Sequence, residues 1–275
     1  MIRLISLTFL LFALFSCNDE EYTINNLNDN KISVLGHGGM GTGITIYPTN
    51  SLASIEKCLS YGAEGSELDV QLTKDGVLVA YHDHKLEEST NIEGLINSLN
   101  WEDIKGAYYN NIPFTKYPVI SLDELFSSIE NRNDYQFTFD SKLYNEQSDQ
   151  GLFFSTYVDA INEVISKYEL LSNVNIESQN EDFLQLLQQS NRDYKLFIYP
   201  SSFESGFEIA KRMDLFGITI STKIISKEQV KLAHKEGISI AIWGVNSRRK
   251  NKEGIIKNPD YIQTDRLGHL VGLLK

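Results

Sequence analysis

Histidine and acidic side chains recur at the ends of apolar segments in this chain. His37 follows the apolar run 33–36, and His82 follows the run 77–81. Glu67 and Asp69 are two residues apart in an otherwise apolar segment, so in a β-strand both carboxylates lie on one face. Burying two acids is costly, and oxygen ligands on one face suit a hard divalent cation such as Ca²⁺ or Mg²⁺. Because histidines transfer protons near neutral pH, the set predicts a metal-assisted acid–base site.

Three further residues are candidates for the same site. Asp140 interrupts an aromatic segment, and Lys142 follows two residues later on the same face of the predicted strand. Trp243 lies near the end of another predicted strand, where it is either a core aromatic residue or a wall of a substrate pocket. The sequence leaves both alternatives for Trp243 open.

The glycine-rich stretch around His37 fits the dinucleotide-binding pattern G-x-G-x-x-G at Gly36, Gly38 and Gly41. That pattern requires a helix to begin at the third glycine, with its amino end facing a pyrophosphate. Here Gly41 is followed by β-branched residues and Pro48, and no helix is predicted before residue 50. We therefore expect no dinucleotide site, and the glycines leave space for a substrate to approach His37.

Alternating strand and helix patterns position these residues. The predicted strands are at 31–36, 66–72, 77–83, 135–142, 173–178, 194–200, 216–221, 238–246 and 260–265, and the helices at 50–63, 121–130, 152–168, 180–190, 204–213 and 226–236. Asn50 is predicted to cap the first helix, and a turn at Asp75 and Gly76 pairs the second and third strands as a hairpin. Strands joined by helices favour parallel pairing, and the length fits the roughly 250 residues of a typical barrel. We predict an α/β fold, a (β/α)8 TIM barrel forming a single domain over residues 31–275.

The order of the motifs resembles the glycerophosphodiester phosphodiesterase family. The family pattern has His-Arg-Gly after the first strand, then Glu-x-Asp, Thr-x-Asp-Gly, His-Asp, a later Glu-x-Lys, a late Trp and a closing Thr-Asp. The chain has, in that order, His37-Gly38-Gly39, Glu67-Leu68-Asp69, Thr73-Lys74-Asp75-Gly76, His82-Asp83, Asp140-Ser141-Lys142, Trp243 and Thr264-Asp265. The resemblance covers roughly residues 32–266, and the block 62–83 is its most specific part.

This resemblance implies a TIM-barrel hydrolase that cleaves glycerophosphodiesters to glycerol 3-phosphate and an alcohol. It also implies a divalent metal, Ca²⁺ or Mg²⁺, as cofactor. By position, the metal ligands would be Glu67, Asp69 and Asp140; the catalytic base and acid, in either order, His37 and His82; and the substrate-binding residues Lys142, Trp243 and Gly38.

Two residues depart from the family pattern. Gly38 stands where the family has arginine, which removes a bidentate phosphate contact that Lys142 or an arginine from a loop, such as Arg248, would replace only in part. Asp140 stands where the family has glutamate and is one methylene shorter. Head-group preference is therefore open, since related barrels include phosphatidylinositol-specific and sphingomyelin-directed lipases. A second hypothesis is a catalytically inactive surface binding lipoprotein, which the retained histidines and acids disfavour.

The amino-terminal segment predicts export and lipid anchoring. Arg3 precedes an apolar run of about 12 residues, which is too short to span a bilayer and typical of a signal peptide. The run ends at Leu14-Phe15-Ser16-Cys17, which resembles the lipobox of bacterial lipoproteins. We predict a signal peptide over residues 1–17 that ends at a lipidated Cys17, with a plain secretory signal as the alternative. Residues 18–30 would be a polar tether to a bacterial membrane, periplasmic or surface-exposed.

The charge balance excludes one class of partner. The formal net charge is −12, and no basic patch with interleaved aromatic residues is present. Because binding to nucleic acid needs clustered Lys and Arg, we expect no nucleic-acid surface. The expected partners are a small-molecule phosphodiester and a membrane, the latter through the lipid on Cys17.

Overall fold

A closed ring of eight parallel strands organises the molecule. The structure, a computed structural model, describes residues 22–42, 46–146 and 149–275. The strands of the described residues are β1 (Ser33–Gly36), β2 (Gly65–Leu72), β3 (Leu78–Ala80), β4 (Ile120–Ser121), β5 (Gln136–Ser141), β6 (Val174–Ser178), β7 (Lys195–Ile198), β8 (Gly217–Ser221), β9 (Ser239–Val245) and β10 (Tyr261–Thr264). The ring runs β1-β10-β9-β8-β7-β6-β5-β2 and closes where β1 pairs with β2. The predicted TIM barrel is confirmed.

The helices, apart from the short α2, cover the outside of the ring. They are α1 (Leu52–Ser60), α2 (Trp101–Ile104), α3 (Leu122–Ser128), α4 (Gln150–Lys167), α5 (Glu181–Ser190), α6 (Phe203–Met213), α7 (Lys227–Lys235), α8 (Arg248–Lys257) and α9 (Leu267–Leu274). Most begin at a Ser, Asp or Asn whose side chain accepts a hydrogen bond from a backbone N–H of the first turn. The prediction of Asn50 as a cap is wrong, because Ser51 caps α1.

An arm leaves the barrel after β2. The predicted hairpin is confirmed, since β3 pairs antiparallel with β2, and β4 then pairs antiparallel with β3. Between β3 and β4, residues 81–119 pack around a separate small core that includes Tyr81, Trp101 and Tyr109. The arm lies at the carboxyl end of β2, which places Tyr81 and Tyr109 beside the residues predicted to be catalytic.

The chain enters the barrel from the amino ends of the strands. Asn25 exchanges hydrogen bonds with Asn258, and the Leu27 N–H donates to the carboxylate of Asp260. The predicted tether over 18–30 is therefore bound to the barrel from Asn25 onward. The predicted signal peptide and Cys17 lie outside the described residues. Among the helices that the structure describes, none has the length and apolarity needed to cross a bilayer.

Candidate active site

The register of the strands places the predicted site residues in neighbouring layers of the barrel interior. Because the strands of a barrel tilt, inward-facing side chains at the same height are offset by one residue between neighbouring strands. Applying this step to the observed pairing gives one layer of Glu67, Glu177, Thr219 and Gln263, and a second layer above it of His37, Asp140, Tyr199 and Trp243. Hydrogen bonds from Thr219 and Gln263 to Glu177, and the 5.4 Å ring contact of Tyr199 with Trp243, agree with this assignment. Both layers are polar where barrels are normally apolar.

Three carboxylates form the centre of the site. Glu67, Asp69 and Asp140 each offer an oxygen, and these oxygens lie within 4.8 Å of one another. All three groups have little or no exposure to solvent. The Lys142 ammonium lies 2.9 Å from Asp69 and 2.5 Å from Asp140, so it neutralises part of the cluster. With all three acids ionised, the carboxylate–lysine group would hold a net negative charge, which favours binding of a cation.

The pKa shifts within this cluster follow from burial and from the lysine. Burial, reinforced by Asp69, raises the pKa of Glu67 well above its usual range. Burial also raises the pKa of Asp140, against the charge of Lys142. Burial would also raise the pKa of Asp69. The charges of Lys142 and His82 and a hydrogen bond from Asn50 outweigh this effect and lower the pKa. Burial opposes the charge on Lys142, but Asp69 and Asp140 raise its pKa.

Backbone and amide groups fix two of the carboxylates. The Gly38 N–H donates to Oε2 of Glu67 at 2.8 Å, while Oε1 of Glu67 is buried without a hydrogen-bond partner among the described residues. Asn50, which has a left-handed backbone (φ 64°), donates its amide to Asp69 at 2.7 Å and accepts the Asp69 N–H. An unpartnered carboxylate oxygen in this position fits the open coordination of a metal ligand.

Gly38 has little room for a side chain. Its backbone is left-handed (φ 58°), and a Cβ built at this position would lie 2.7 Å from Cβ of Thr49. Gly38 therefore contributes its N–H group and a short approach to the cavity, rather than a side-chain contact.

Each predicted catalytic histidine is held by an aspartate. Nδ1 of His37 lies 2.9 Å from Oδ1 of Asp265, and Nδ1 of His82 lies 2.9 Å from Oδ1 of Asp83. Asp265 also accepts hydrogen bonds from the N–H and hydroxyl of Thr42. Engaging Nδ1 leaves Nε2 of each ring for proton exchange with a substrate.

The two histidines differ in environment. His82 is exposed, whereas His37 is partly buried beside the acid cluster. Burial of His37 opposes its protonation, but the hydrogen bond to Asp265 and the charges of Glu67, Asp265 and Asp69 outweigh this and raise the pKa of His37 to about 10. A bound cation would lower the pKa of His37, because its positive charge disfavours an imidazolium nearby.

A cavity of about 220 Å³ opens above the acids at the carboxyl ends of the strands. It is lined by His37, Gly38, Thr42, Pro48, Thr49, Asp69, Tyr81, His82, Asp83, Ser89, Tyr109 and Asn111. The structure thus brings four predicted residues to the cavity wall, and it places Glu67, Asp140 and Lys142 next to Asp69. Trp243 shares the layer of His37, and its indole N–H is buried with no acceptor in the described part of the chain. Arg248 begins α8 instead of lying in a loop.

Several site residues were missed from the sequence. Asn50 was predicted only as a helix cap, and Glu177 lies in a segment predicted simply as a strand. Asp83 and Asp265 were part of quoted motifs without a role. Tyr109 lies in a stretch with no regular pattern. Among these residues, Asp83 has a signal in the local sequence, because it directly follows His82.

Comparison with known proteins identifies the family. The model of the glycerophosphoryl diester phosphodiesterase family matches residues 37–269. The chain belongs to this family. A glycerophosphodiester phosphodiesterase of Caldanaerobacter subterraneus subsp. tengcongensis is 27% identical over 248 residues, which are 89% of this chain and 98% of the relative.

Solved structures share the fold of this chain. A glycerophosphodiester phosphodiesterase from Parabacteroides distasonis has a TM-score of 0.73 at 20% identity, covering 89% of this chain and 98% of its own. An Oleispira antarctica phosphodiesterase, solved in complex with the product sn-glycerol-3-phosphate, has a TM-score of 0.73 at 19% identity, with coverage of 89% and 97%. The predicted family and the predicted class of enzyme, a phosphoric diester hydrolase, are confirmed.

Proposed function

We propose that this protein is a metal-dependent phosphodiesterase that hydrolyses glycerophosphodiesters to glycerol 3-phosphate and an alcohol. The observation that carries the proposal is the buried trio Glu67, Asp69 and Asp140 directly beside a cavity that two histidines line. The unpartnered Oε1 of Glu67 supports a metal ligand at that position. Oxygen donors of this kind suit Ca²⁺ or Mg²⁺, and the bound cation would neutralise charge that builds on the phosphoryl oxygens.

The chain's own residues would move the protons. One histidine would accept the proton of the nucleophile, either water or the neighbouring glycerol hydroxyl, and the other would donate a proton to the departing alcohol oxygen. Asp265 and Asp83 hold the two rings at Nδ1, so each Nε2 serves as the exchange point. His37 and His82 are therefore the proposed acid–base pair.

Three further residues would bind the substrate. The Lys142 ammonium would share its charge between Asp69 and a phosphoryl oxygen. The buried indole N–H of Trp243 would donate to a substrate oxygen, since a buried donor without an acceptor is otherwise costly. Gly38 would let the substrate approach the backbone.

A product assay tests the activity. Purified protein should release glycerol 3-phosphate from glycerophosphocholine or glycerophosphoethanolamine, lose this activity in EDTA, and regain it with Ca²⁺ or Mg²⁺. His37→Ala should abolish turnover without preventing metal binding. If calorimetry shows metal binding but no diester is hydrolysed, the alternative of an inactive binding lipoprotein is supported instead.

A substrate with a good leaving group assigns the two proton-transfer roles. Departing 4-nitrophenolate needs no proton, so the variant without the general acid should keep near-normal activity on a glycerophospho-4-nitrophenyl diester. The variant without the base should lose about 10²- to 10⁴-fold on every diester. We expect His37→Ala and His82→Ala to differ in this way, and equal losses on both substrates would contradict separate roles.

We also propose that the protein is anchored in the bacterial cell envelope by a lipid on Cys17. The support is the sequence alone: a short apolar run ending in a lipobox-like cysteine. Metabolic labelling with palmitate should mark the full-length protein but not a Cys17→Ser variant, and that variant should leave the membrane fraction. Release of unlabelled wild-type protein into the soluble fraction would favour the plain secretory signal.

A further inference from the structure

A second cavity lies on the outside of the barrel. Its volume is about 530 Å³, and its lining shares no residue with the catalytic cavity. The lining comes from helix α7, from the carboxyl end of α8 and from the entering segment between Thr23 and Leu27. We call this cavity the α7 groove.

Positive charge is concentrated in the α7 groove, although the chain has a formal net charge of −12. Four lysines line it, and none of the described residues in its lining is an aspartate or glutamate. Lys227, Lys231 and Lys235 lie four residues apart on α7, which places them on one stripe of the helix at intervals of about 6 Å. Lys257 is the last residue of α8. The groove therefore presents a row of ammonium groups.

The acids nearest to these lysines in the sequence do not neutralise them. Glu236 forms an ion pair with Lys211, and Glu253 forms ion pairs with two basic residues of α8. Glu228 is exposed on α7, about 100° round the helix from Lys227. Within the part of the chain that the structure describes, none of the four groove lysines pairs with a carboxylate.

Lys257 has only neutral acceptors. It is half-buried, and its ammonium donates hydrogen bonds to the backbone carbonyl and the hydroxyl of Thr222. Burial and the charge of Lys250 lower the pKa of Lys257, against the opposite effect of Glu253. A half-buried ammonium without a counter-ion gains stability when an anion binds beside it.

Hydrogen bonds fix the walls of the α7 groove. The Asn25 N–H donates to Oδ1 of Asn258 at 3.1 Å, and Nδ2 of Asn258 donates to the Asn25 carbonyl at 2.6 Å. On α7, Nε2 of His234 lies 2.9 Å from the buried carboxylate of Asp260, which also accepts the Leu27 N–H. The entering segment and α7 are thereby held against the same acid. The groove is preformed, which lowers the entropic cost of binding a ligand.

We propose that the α7 groove is a binding site for a phosphate-bearing anion. Phosphate oxygens accept hydrogen bonds from several ammonium groups at once, and lysine binds phosphate as a compact point charge. The groove is more than twice as large as the catalytic cavity, so it has room for more than the phosphate group itself. A soluble phosphate compound and the head group of an anionic phospholipid share this chemistry. The site is separate from the proposed phosphodiesterase activity and does not depend on it.

Lysine acetylation in inorganic phosphate tests the soluble source. Relative to chloride at equal ionic strength, millimolar phosphate should slow the reaction of Lys227 and Lys231 with acetic anhydride about 5-fold or more, measured by mass spectrometry. Lys74, an exposed lysine in the turn between β2 and β3, should react at an unchanged rate. In Lys227→Gln/Lys231→Gln the protection of Lys235 should be lost, whereas Lys74→Gln should keep it.

Vesicles test the lipid source. Protein is sedimented with vesicles of phosphatidylcholine alone and with vesicles in which one quarter of the lipid is phosphatidylglycerol. A head group in the groove predicts about 10-fold stronger wild-type binding to the anionic vesicles and loss of this preference in Lys227→Gln/Lys231→Gln. Lys74→Gln is again the matched control. Insertion of the apolar amino-terminal segment would be the same in every variant, so it does not affect the comparison.

Three results would overturn the proposal. One is the absence of both effects in wild-type protein. Another is an effect that persists in Lys227→Gln/Lys231→Gln or that is equally large at Lys74, which would indicate non-specific attraction. The third is binding that develops only when the acidic run 19–21, outside the described residues, is changed to Asn-Gln-Gln, because the chain's own acids would then fill the groove.

The activity of the double variant keeps this proposal separate from the proposed function. Lys227→Gln/Lys231→Gln should retain the wild-type kcat/KM for glycerophosphocholine, since neither lysine lines the catalytic cavity. A protein that hydrolyses no diester would reject the proposed function and leave the protection and sedimentation results as they are. The two failures are therefore distinguishable.

Discussion

Two histidine–aspartate pairs are the basis of the proposed acid–base chemistry. His37 and His82 come from different elements, yet each presents Nε2 and keeps Nδ1 on a carboxylate. The aspartate selects the tautomer and orients the ring, so its removal should impair proton transfer while leaving the ring in place. In the proposed mechanism the two aspartates are positioning residues.

Replacing one aspartate isolates this role. Asp265→Asn should lower kcat about 10²-fold or more with little change in KM, because an amide can hold Nδ1 in the wrong tautomer. The expected readout includes a shifted pH–rate profile, which a purely structural role would not produce. Asp182→Asn, at an exposed position on α5, is the matched control. An unchanged profile in Asp265→Asn would show that the pair is dispensable.

The raised pKa of His37 predicts a pH dependence of stability in metal-free protein. Its pKa rises from 6.5 to about 10, so the protonated ring stabilises the folded state fully below pH 6.5. This contribution is lost as pH rises from 6.5 through 10. Urea unfolding at pH 6, 8 and 10 should show the loss in wild type and a smaller one in His37→Gln.

Binding of a divalent metal should lower the raised pKa of His37. A divalent cation on Glu67, Asp69 and Asp140 removes the negative charge that favours the imidazolium, so the pKa of His37 should fall when Ca²⁺ is added. An NMR titration of the ring protons measures this directly. An unchanged pKa at saturating Ca²⁺ would place the cation away from the three acids.

Gly38 predicts that the family arginine cannot simply be restored. In Gly38→Arg the Cβ would lie 2.7 Å from Cβ of Thr49 on a left-handed backbone. We expect a loss of about 1–3 kcal/mol in the free energy of unfolding and lower activity. Adding Thr49→Gly should recover part of the stability. A fully stable and more active Gly38→Arg would contradict the observed local geometry.

Among the structural elements, the arm between β3 and β4 completes the wall of the cavity. Tyr109 packs on Tyr81 with ring centroids 6.1 Å apart, and its hydroxyl is buried with no partner in the part of the chain described. Since Tyr109 lines the cavity, we propose that its hydroxyl donates to a substrate oxygen. The arm thus adds this hydroxyl to a cavity to which it also contributes His82, while the three carboxylates come from the barrel strands.

Removing only that hydroxyl tests the arm's contribution. Tyr109→Phe should raise KM about 5- to 10-fold at nearly unchanged kcat, the size expected for one lost hydrogen bond. The melting temperature should stay the same or rise, because a buried unpartnered hydroxyl is costly. Tyr108→Phe, at a half-buried neighbouring position outside the cavity lining, serves as control. A lower melting temperature with unchanged KM would assign Tyr109 a structural role only.

Regular elements were predictable where the apolar pattern is strong. The eight barrel strands and the β2–β3 hairpin follow from apolar runs and from the turn at Asp75-Gly76. Helix α8 was missed because it has few apolar residues, and two-residue β4 is defined only by pairing with β3. The acids and histidines were predictable from spacing, whereas Asn50 and Glu177 depend on contacts between distant strands that no local pattern encodes.

In the molecule as a whole, the buried carboxylate of Asp260 links the segment before β1 to the barrel. Asp260 is fully buried and accepts hydrogen bonds from the N–H groups of Leu27 and Ile240, and it pairs with His234. These partners come from three separate parts of the chain. Asp260 therefore couples the segment before β1 to the strands and to α7.

Loss of that carboxylate should destabilise the entire fold. In Asp260→Ala the buried partners lose their acceptor, which costs about 3–5 kcal/mol in the free energy of unfolding. Urea unfolding measures the change, and Asp159→Ala, at an exposed position on α4, should alter it by less than about 0.5 kcal/mol. A similar small effect in both variants would show that the entering segment is held by its other contacts.

The docking of Asn25–Asn28 at the amino ends of the strands also determines how the protein would stand on a membrane. The cavity opens at the carboxyl ends of the strands, so an attachment upstream of Tyr22 would lie at the opposite end of the barrel. With a lipid on Cys17, the mouth would face outward into the aqueous phase. Diesters would then arrive as dissolved molecules, and the enzyme would collect them from the medium instead of extracting lipids from the bilayer beneath it.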